Sequence, residues 1–368
     1  MKRILALILV STMLWGITCC SANDTSETTL QSSLPRETSC PPGAHDHDYD
    51  DMEDLYEVSY PLTITDQAGR EVVIESEPHR LVSSYYITSS LFIALEIDDR
   101  MVGIESNPEK RNIYGLSAPE LLDLPCVGSP KDFDFEACVA LEPDLVVLPL
   151  RLSDVAEQLA QLDIDVLLVN PENEAGLITM TELVATATNT QERGAELIEF
   201  IIGVKDLLTE SLGDVQPVSI YLAGNSDFLS TASSGMYQSD MIALAGGINV
   251  GAQVDDTYWV EVSYEQVLAW NPEYILLAAD AGYDVDSVLS DDSIAICDAV
   301  ISGNVIKLPS DAEAWDSPIP GAVLGSLWLA SKLYPDRVSE ETCYDVIEEF
   351  YETFYGFSYS SITAEEAA

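Results

Sequence analysis

Two stretches of the chain, 129 residues apart, follow the same pattern over fourteen positions. They cover residues 135–148 and 264–277, and Glu, Ala, Pro and Leu recur identically in them. In each stretch a helix-capping residue, Asp134 or Ser263, precedes an aromatic residue, a Glu, a short helical pattern, a Pro that breaks it and an apolar run. A pattern repeated at this length predicts two related lobes within one chain.

From about residue 60 onward, short apolar runs alternate with helical patterns. The apolar runs are nearly continuous, as expected for parallel strands that are buried on both faces. Helical patterns lie between them, and this alternation predicts an α/β architecture. The predicted strands are residues 81–83, 145–148, 166–169, 219–222, 274–277 and 305–308.

One longer helical pattern, residues 190–212, lies between the two repeated stretches. It contains no Pro and places apolar residues at helical spacing. Such a helix is about 34 Å long, and its length and mid-chain position favour a connector over a core helix. We therefore predict an N-terminal α/β lobe over residues 58–189, a connector helix over 190–213, a C-terminal α/β lobe over 214–357 and a tail over 358–368.

The N-terminus has the pattern of an export signal. Lys2 and Arg3 precede a short apolar segment, which small residues and two cysteines follow. The pattern predicts a lipoprotein signal over residues 1–19 and lipidation of Cys20, with a plain secretory signal as the alternative. No later stretch is apolar for 18 residues, so we expect an extracytoplasmic protein, lipid-anchored to the outer face of the cell membrane.

The composition limits the partners of the protein. The chain carries 15 basic and 64 acidic residues, a formal net charge of −49, which argues against binding to nucleic acid or to anionic lipid. Residues 20–57 are rich in Ser, Thr, Pro and acid and predict a flexible acidic tether. His45 and His47 end this tether, where a solvated linker is favoured over a metal chelator.

The sequence offers no set of residues for catalysis and no intrinsic metal or cofactor site. The chain has three His, and two of them fall in the tether. There is no CxxC pair, no Cys/His spacing suited to zinc and no Gly-rich phosphate loop. We therefore predict a binding protein rather than an enzyme.

Further segments occur in a specific order along residues 60–357. They are residues 65–74 (TDQAGREVVI), 78–83 (PHRLVS), 141–146 (LEPDLV), 245–250 (AGGINV), 262–268 (VSYEQVL) and 350–356 (FYETFYG). In order and spacing the chain resembles the substrate-binding proteins of bacterial ABC importers for iron-siderophore, haem and cobalamin. The resemblance implies two Rossmann-like α/β lobes with central parallel sheets, joined by one long α-helix, with a ligand cleft between them.

The same resemblance implies a monomer that delivers its ligand to an ABC importer permease and its ATPase. In this family one glutamate of each lobe docks onto arginines of the permease, and Glu136 and Glu265 match those positions. Favourable interaction with the helix dipole is the alternative role for both glutamates. A sensor that binds a solute without delivering it needs no such docking residues.

The ligand is expected in loops at the carboxyl ends of the strands. Phenolate suits ferric iron and aromatic rings suit flat macrocycles, so a ferric siderophore or haem is favoured, with cobalamin as the alternative. An anionic chelate also needs a local positive charge, for which Arg151 and Arg111 are the candidates. The predicted ligand residues are Tyr85, Tyr86, Tyr114, Arg151, Asn225, Trp259, Trp315 and Asp316.

Overall fold

The computed structural model describes residues 58–254 and 259–366, with side chains of the last helix described as far as residue 362. The predicted signal peptide, the lipidation site Cys20 and the acidic tether lie outside the described residues. Within those two ranges, no helix is both long enough and apolar enough to cross a membrane.

The first lobe alternates strands and helices around one parallel sheet. Its elements are β1 (Leu62–Thr65), β2 (Glu71–Ile74), β3 (Leu81–Ser83), α1 (Tyr86–Ala94), β4 (Met101–Gly103), α2 (Asn112–Ser117), β5 (Gly128–Ser129), β6 (Asp132–Phe133), α3 (Phe135–Ala140), β7 (Leu145–Pro149), α4 (Ser153–Ala160), β8 (Asp165–Val169) and α5 (Glu174–Ala187). The parallel sheet has the order β4-β3-β7-β8, and β1 and β2 form a separate antiparallel hairpin.

The second lobe follows a helix of 22 residues and has its own parallel sheet. The elements are α6 (Gln191–Leu212), β9 (Val218–Ala223), β10 (Ser230–Ala232), α7 (Tyr237–Leu244), β11 (Gly247–Asn249), β12 (Trp259–Glu261), α8 (Tyr264–Trp270), β13 (Tyr274–Leu277), α9 (Val285–Leu289), α10 (Asp298–Ser302), β14 (Val305–Lys307), α11 (Val323–Leu333), α12 (Glu340–Tyr355) and α13 (Tyr359–Glu366). The sheet order is β11-β9-β13-β14, and β10 pairs with β12.

The sequence repeat corresponds to a structural repeat. The repeated stretches form α3 with β7 and α8 with β13, and these strands take the same third place in their sheets. Asp134 accepts a hydrogen bond from the backbone N–H of Ala137, and Ser263 accepts one from that of Gln266, so both predicted residues cap their helices. The predicted fold class, two parallel-sheet lobes joined by one long helix, is confirmed.

The two lobes share an apolar layer. Side chains alternate between the faces of a strand, so Leu145 and Val147 of β7 join a cluster that also contains Ile220 and Leu276 of the second lobe. The outer face of each sheet has a smaller cluster of its own. Because the shared layer also includes buried residues of α1, α5, α6, α11 and α12, it opposes wide separation of the lobes.

The helix α6 is both a connector and a part of this core. Its bounds agree with the predicted helix to within one residue. Leu197, Ile201, Val204 and Leu208 are buried in the shared layer at helical spacing. The predicted connector helix is therefore present, and its buried face is in addition part of the core, which the sequence interpretation did not include.

The segment after Gly356 is packed, although it was predicted as a tail. It forms α13, whose Tyr359 is buried and stacks on Tyr351 with ring centroids 5.3 Å apart. The Tyr359 hydroxyl donates a hydrogen bond of 3.0 Å to Asp311. Aromatic stacking and this hydrogen bond hold the start of α13 against the second lobe.

Candidate ligand-binding site

The loops that follow the strands of the two sheets meet across the cleft. Arg111, in the segment after β4, forms an ion pair of 3.6 Å with Asp280, which follows β13. Asn112 donates a hydrogen bond of 2.9 Å to the carbonyl of Asp311, which follows β14. Open α/β sheets bind ligands at the carboxyl ends of their strands, so these contacts mark the candidate site.

Tyr85 and Tyr86 lie at the start of α1, directly after β3. Tyr85 is the N-cap residue, with an extended backbone, and the two rings are 5.8 Å apart in an edge-to-face arrangement. Burial raises the pKa of both phenols, that of Tyr86 to about 12. Both side chains are therefore neutral hydrogen-bond donors near neutral pH, and binding of ferric iron as phenolate must overcome this preference.

The start of α1 also offers donors without acceptors. The N–H groups of Tyr86 and Ile87 donate to no residue that the structure describes, as expected in an uncapped first turn. The hydroxyl groups of Ser84 and Thr88, just before and within this turn, are buried with no hydrogen-bond partner in the described ranges. The first turn carries no acidic residue, so these donors and the helix dipole together favour an anion.

Two guanidinium groups lie next to these tyrosines. The Cζ atom of Arg111 is 3.9 Å from the centroid of the Tyr86 ring, and Arg151, at the end of β7, is close enough to lower the pKa of Tyr85 against the effect of burial. Neither guanidinium donates a hydrogen bond to any described residue. Every other described arginine donates at least one, namely Arg70, Arg80, Arg100, Arg193 and Arg337.

Buried carboxyl groups from both lobes lie beneath this region. Adjacent serines of α1 bind one each: Ser89 donates to Glu105 at 2.6 Å, and Ser90 donates to Glu313 of the second lobe at 2.5 Å. Desolvation raises the pKa of both carboxyl groups, that of Glu313 to about 7, while the charge of Arg111 opposes this rise. Because the pKa of Glu313 is about 7, partial protonation of this acid near neutral pH limits the negative charge beneath Arg111.

The second lobe contributes three of the predicted ligand residues to the same region of the fold. Asn225 is exposed directly after β9, and Trp259, 37% exposed, packs against Gly224. A Cβ atom at Gly224 would lie 2.8 Å from the Trp259 ring, so this packing requires glycine. Asp316 is buried and accepts a hydrogen bond from the N–H of Ala279, and burial raises its pKa to about 6.

Two other predicted ligand residues, Tyr114 and Trp315, lie in the interior instead. Tyr114 is 0% exposed and donates its hydroxyl proton to Glu105 at 2.5 Å. Trp315 is 1% exposed, and its indole N–H donates to the hydroxyl of Tyr351 at 2.8 Å. Because their polar atoms are buried and already paired, these side chains support the site from below and present no free atom to a ligand.

Glu136 and Glu265 take equivalent places in the two lobes. Each is exposed in the first turn of its helix, α3 or α8. The Glu265 carboxylate accepts hydrogen bonds from its own N–H and from Ser263, which lower its pKa. Both positions suit contact with a partner, and their role in docking stays a prediction.

The sequence analysis did not predict Glu105, Asp280 and Glu313 as site residues. It also did not predict that the hydroxyl groups of Ser84 and Thr88 are unpaired among the described residues. Asp280 and Glu105 come within three residues of the end of a strand, so the rule that ligand loops follow strands was a sufficient signal for both. Glu313 lies farther from its strand, and only the fold brings it to Ser90.

The described ranges contain no group of three or more His, Cys, Asp or Glu side chains arranged to hold a metal ion. The cysteines within them are free, with Cys126 exposed and Cys138, Cys297 and Cys343 buried.

The comparisons with known proteins identify the family. A family model for periplasmic binding proteins matches residues 81–312, more than half of the chain. The chain belongs to this family. The molybdate-binding protein MolA of Haemophilus influenzae is 32% identical over 323 residues, which cover 80% of this chain and 91% of MolA. The solved structure of MolA bound to molybdate has 30% identity and a TM-score of 0.73, and the match covers 81% of this chain and 99% of MolA.

Two other relatives are less similar to this chain. The ABC-transporter substrate-binding lipoprotein YvrC of Bacillus subtilis is 24% identical over 291 residues, covering 76% of this chain and 88% of its own length. A vitamin B12-binding protein of Yersinia pestis is 26% identical over 214 residues, which cover 57% of this chain and 72% of that protein. The resemblance noted in the sequence is thus confirmed at the level of the family, while the relatives differ in their ligands.

Proposed function

We propose that the protein binds a small oxyanion of the molybdate type outside the cytoplasm and delivers it to an ABC importer. One observation carries the proposal: Arg111 and Arg151, beside the start of α1, are the described arginines whose guanidinium donors are unused. Guanidinium groups bind oxyanions through paired hydrogen bonds. The similarity to MolA over most of both chains supports the same class of ligand.

The helix start explains how such a ligand is held in an otherwise acidic protein. The free N–H groups of Tyr86 and Ile87 and the hydroxyls of Ser84 and Thr88 add neutral donors to the two cations. Fixed dipoles and hydrogen bonds of this kind bind a desolvated anion without net charge on the donors. The phenols of Tyr85 and Tyr86 stay protonated and serve as further donors.

A ferric chelate or haem, favoured by the sequence, is the second candidate, with cobalamin as its alternative. The exposed face of Trp259 and the ring of Tyr85 favour it, because aromatic surfaces stack on flat macrocycles. The similarity to a vitamin B12-binding protein adds support for a corrinoid. The raised pKa values of both tyrosines weigh against direct phenolate ligation of iron.

A titration panel separates these candidates. Isothermal titration of the purified protein with molybdate, tungstate, sulfate, phosphate, a ferric siderophore, haemin and cobalamin should give tight binding for molybdate and tungstate. Arg151→Gln and Arg111→Gln should each weaken molybdate binding at least tenfold, because each removes a charged donor. The matched control is Arg337→Gln, which removes an arginine that pairs with Asp214. Tight binding of a chelate with no response to molybdate would replace the first candidate with the second.

Membrane attachment through Cys20 is part of the same proposal. The signal pattern predicts it, and the YvrC relative is a lipoprotein. Cys20→Ala should move the protein from the membrane fraction to the soluble extracytoplasmic fraction. Equal membrane retention of the variant would contradict lipid anchoring.

A further inference from the structure

Arg111 is held in place by contacts that leave its donors free. Its guanidinium lies on the ring of Tyr86, with Cζ 3.9 Å from the ring centroid, and such stacking fixes a guanidinium without using its N–H groups. The side chain is 34% exposed, so a solute has access to it.

The acidic partner of Arg111 comes from the other lobe and is held loosely. Asp280 Oδ2 is 3.6 Å from Nη1 of Arg111, which is longer than a hydrogen bond, and the Asp280 side chain is 46% exposed. Asp280 also faces the buried Asp316 and the phenol of Tyr86. Repulsion from Asp316, when it is ionised, weakens the hold of Arg111 on Asp280 further.

The pairing differs from that of other arginines in the same protein. Arg70 binds Asp66 through Nε and Nη2 at 2.9 and 2.6 Å. Arg100 pairs with Glu77 at 2.9 Å and donates to two carbonyl groups. The Asp66 carboxylate and the two carbonyl groups accept hydrogen bonds from these arginines, whereas Asp280 balances part of the charge of Arg111 and accepts none.

We propose that Asp280 is a specificity-determining residue that competes with the anionic ligand for Arg111. The inference rests on the proposed function, since it concerns the same site. In the ligand-free protein Asp280 lies against the guanidinium, and a bound oxyanion takes its place with hydrogen bonds that Asp280 does not make. An anion that makes few hydrogen bonds then displaces Asp280 poorly, so Asp280 selects for ligands that use the guanidinium fully.

The test is a double-mutant cycle with molybdate as the probe. Isothermal titration at low salt compares the unmodified protein, Asp280→Asn, Arg111→Gln and the double variant. Asp280→Asn should bind molybdate roughly two- to fivefold more tightly, the range expected for loss of a partly exposed ion pair. In the Arg111→Gln background, Asp280→Asn should change the molybdate affinity no more than the control substitution Asp286→Asn does.

The control is Asp286→Asn, which removes one negative charge from an exposed position on α9 of the same lobe. Circular dichroism spectra establish that each variant is folded. If Asp280→Asn and Asp286→Asn change the molybdate affinity equally, the effect is one of net charge alone and the inference is overturned. Weaker molybdate binding by Asp280→Asn also overturns it. Absence of oxyanion binding by the unmodified protein defeats the proposed function itself. Binding that Asp280→Asn leaves unchanged defeats this inference alone.

Discussion

Glu313 couples the stability of the fold to pH, and Glu313→Gln tests this coupling. The carboxyl group is buried between the lobes, where Oε1 accepts a hydrogen bond from Ser90 and Oε2 has no partner among the described residues. Desolvation raises its pKa from the usual 4.5 to about 7, against the opposing effects of Ser90, Arg111 and Tyr355. A neutral carboxyl group is therefore the form that the folded protein prefers.

The sign and size of the effect follow from the two pKa values. Between them the folded protein holds a proton that the unfolded chain has lost, so the stabilisation is complete below pH 4.5 and is lost as the pH rises through about 7. At about 1.4 kcal/mol for each pKa unit, the total is about 3 kcal/mol. Roughly 2.5 kcal/mol of this falls between pH 5 and pH 8.

Urea unfolding at pH 5 and pH 8, followed by tryptophan fluorescence, measures this loss. Glutamine keeps the acceptor for Ser90 and the shape of the neutral acid, so the free energy of unfolding of Glu313→Gln relative to the unmodified protein should rise by roughly 2–3 kcal/mol from pH 5 to pH 8. Glu349→Gln, at an exposed position of α12, is the control and should change by less than about 0.5 kcal/mol. A difference between Glu313→Gln and the unmodified protein that stays constant with pH would refute the raised pKa.

Two further predictions concern docking and the core of the first lobe. Glu136→Ala combined with Glu265→Ala should leave molybdate affinity unchanged and abolish uptake in cells, whereas Glu157→Ala with Asp286→Ala, which removes the same charge elsewhere on the two lobes, should leave uptake intact. Normal uptake by the first pair would remove the docking role. Asp66→Asn should destabilise the protein by roughly 3–5 kcal/mol, because the buried Asp66 carboxylate holds Arg70 and the N–H of Leu168. Glu340→Gln, which breaks an exposed pair with Lys332, should cost less than about 1 kcal/mol. Similar urea midpoints for these two variants would contradict the importance of burial.

The fold could be predicted from the sequence because its signals are local. An apolar run that follows a Pro break predicts β13, and the strand has the predicted bounds of residues 274–277. The helix start at Asp134 depends on one side chain and a backbone N–H three residues away. Such signals need no knowledge of the rest of the chain.

The burial of individual side chains could not be predicted in this way. Tyr85 and Tyr114 both belong to segments that follow strands, yet Tyr114 is enclosed by the shared apolar layer and Tyr85 is not. What encloses Tyr114 includes α12, more than two hundred residues later in the chain. The pairing of Ser90 with Glu313 has the same origin, since it joins residues 223 positions apart. Site residues are therefore predictable by region, while their exposure depends on contacts between distant segments.

The candidate site carries unpaired positive charge, whereas the chain as a whole is strongly acidic. With 64 acidic residues against 15 basic ones, carboxylates are available to pair nearly every arginine, as Asp66 pairs with Arg70. Arg80 has no acidic oxygen of a described residue within 4 Å but donates to two carbonyl groups. Among the described residues Arg151 has neither an acidic oxygen within 4 Å nor an acceptor, and Arg111 has only the loose contact with Asp280. Both lie near the start of α1, where the helix dipole is positive and no acid occurs in the first turn. Unpaired positive charge in this arrangement is unfavourable until an anion binds, so the ligand that relieves it should also stabilise the folded protein, and less so as salt concentration rises.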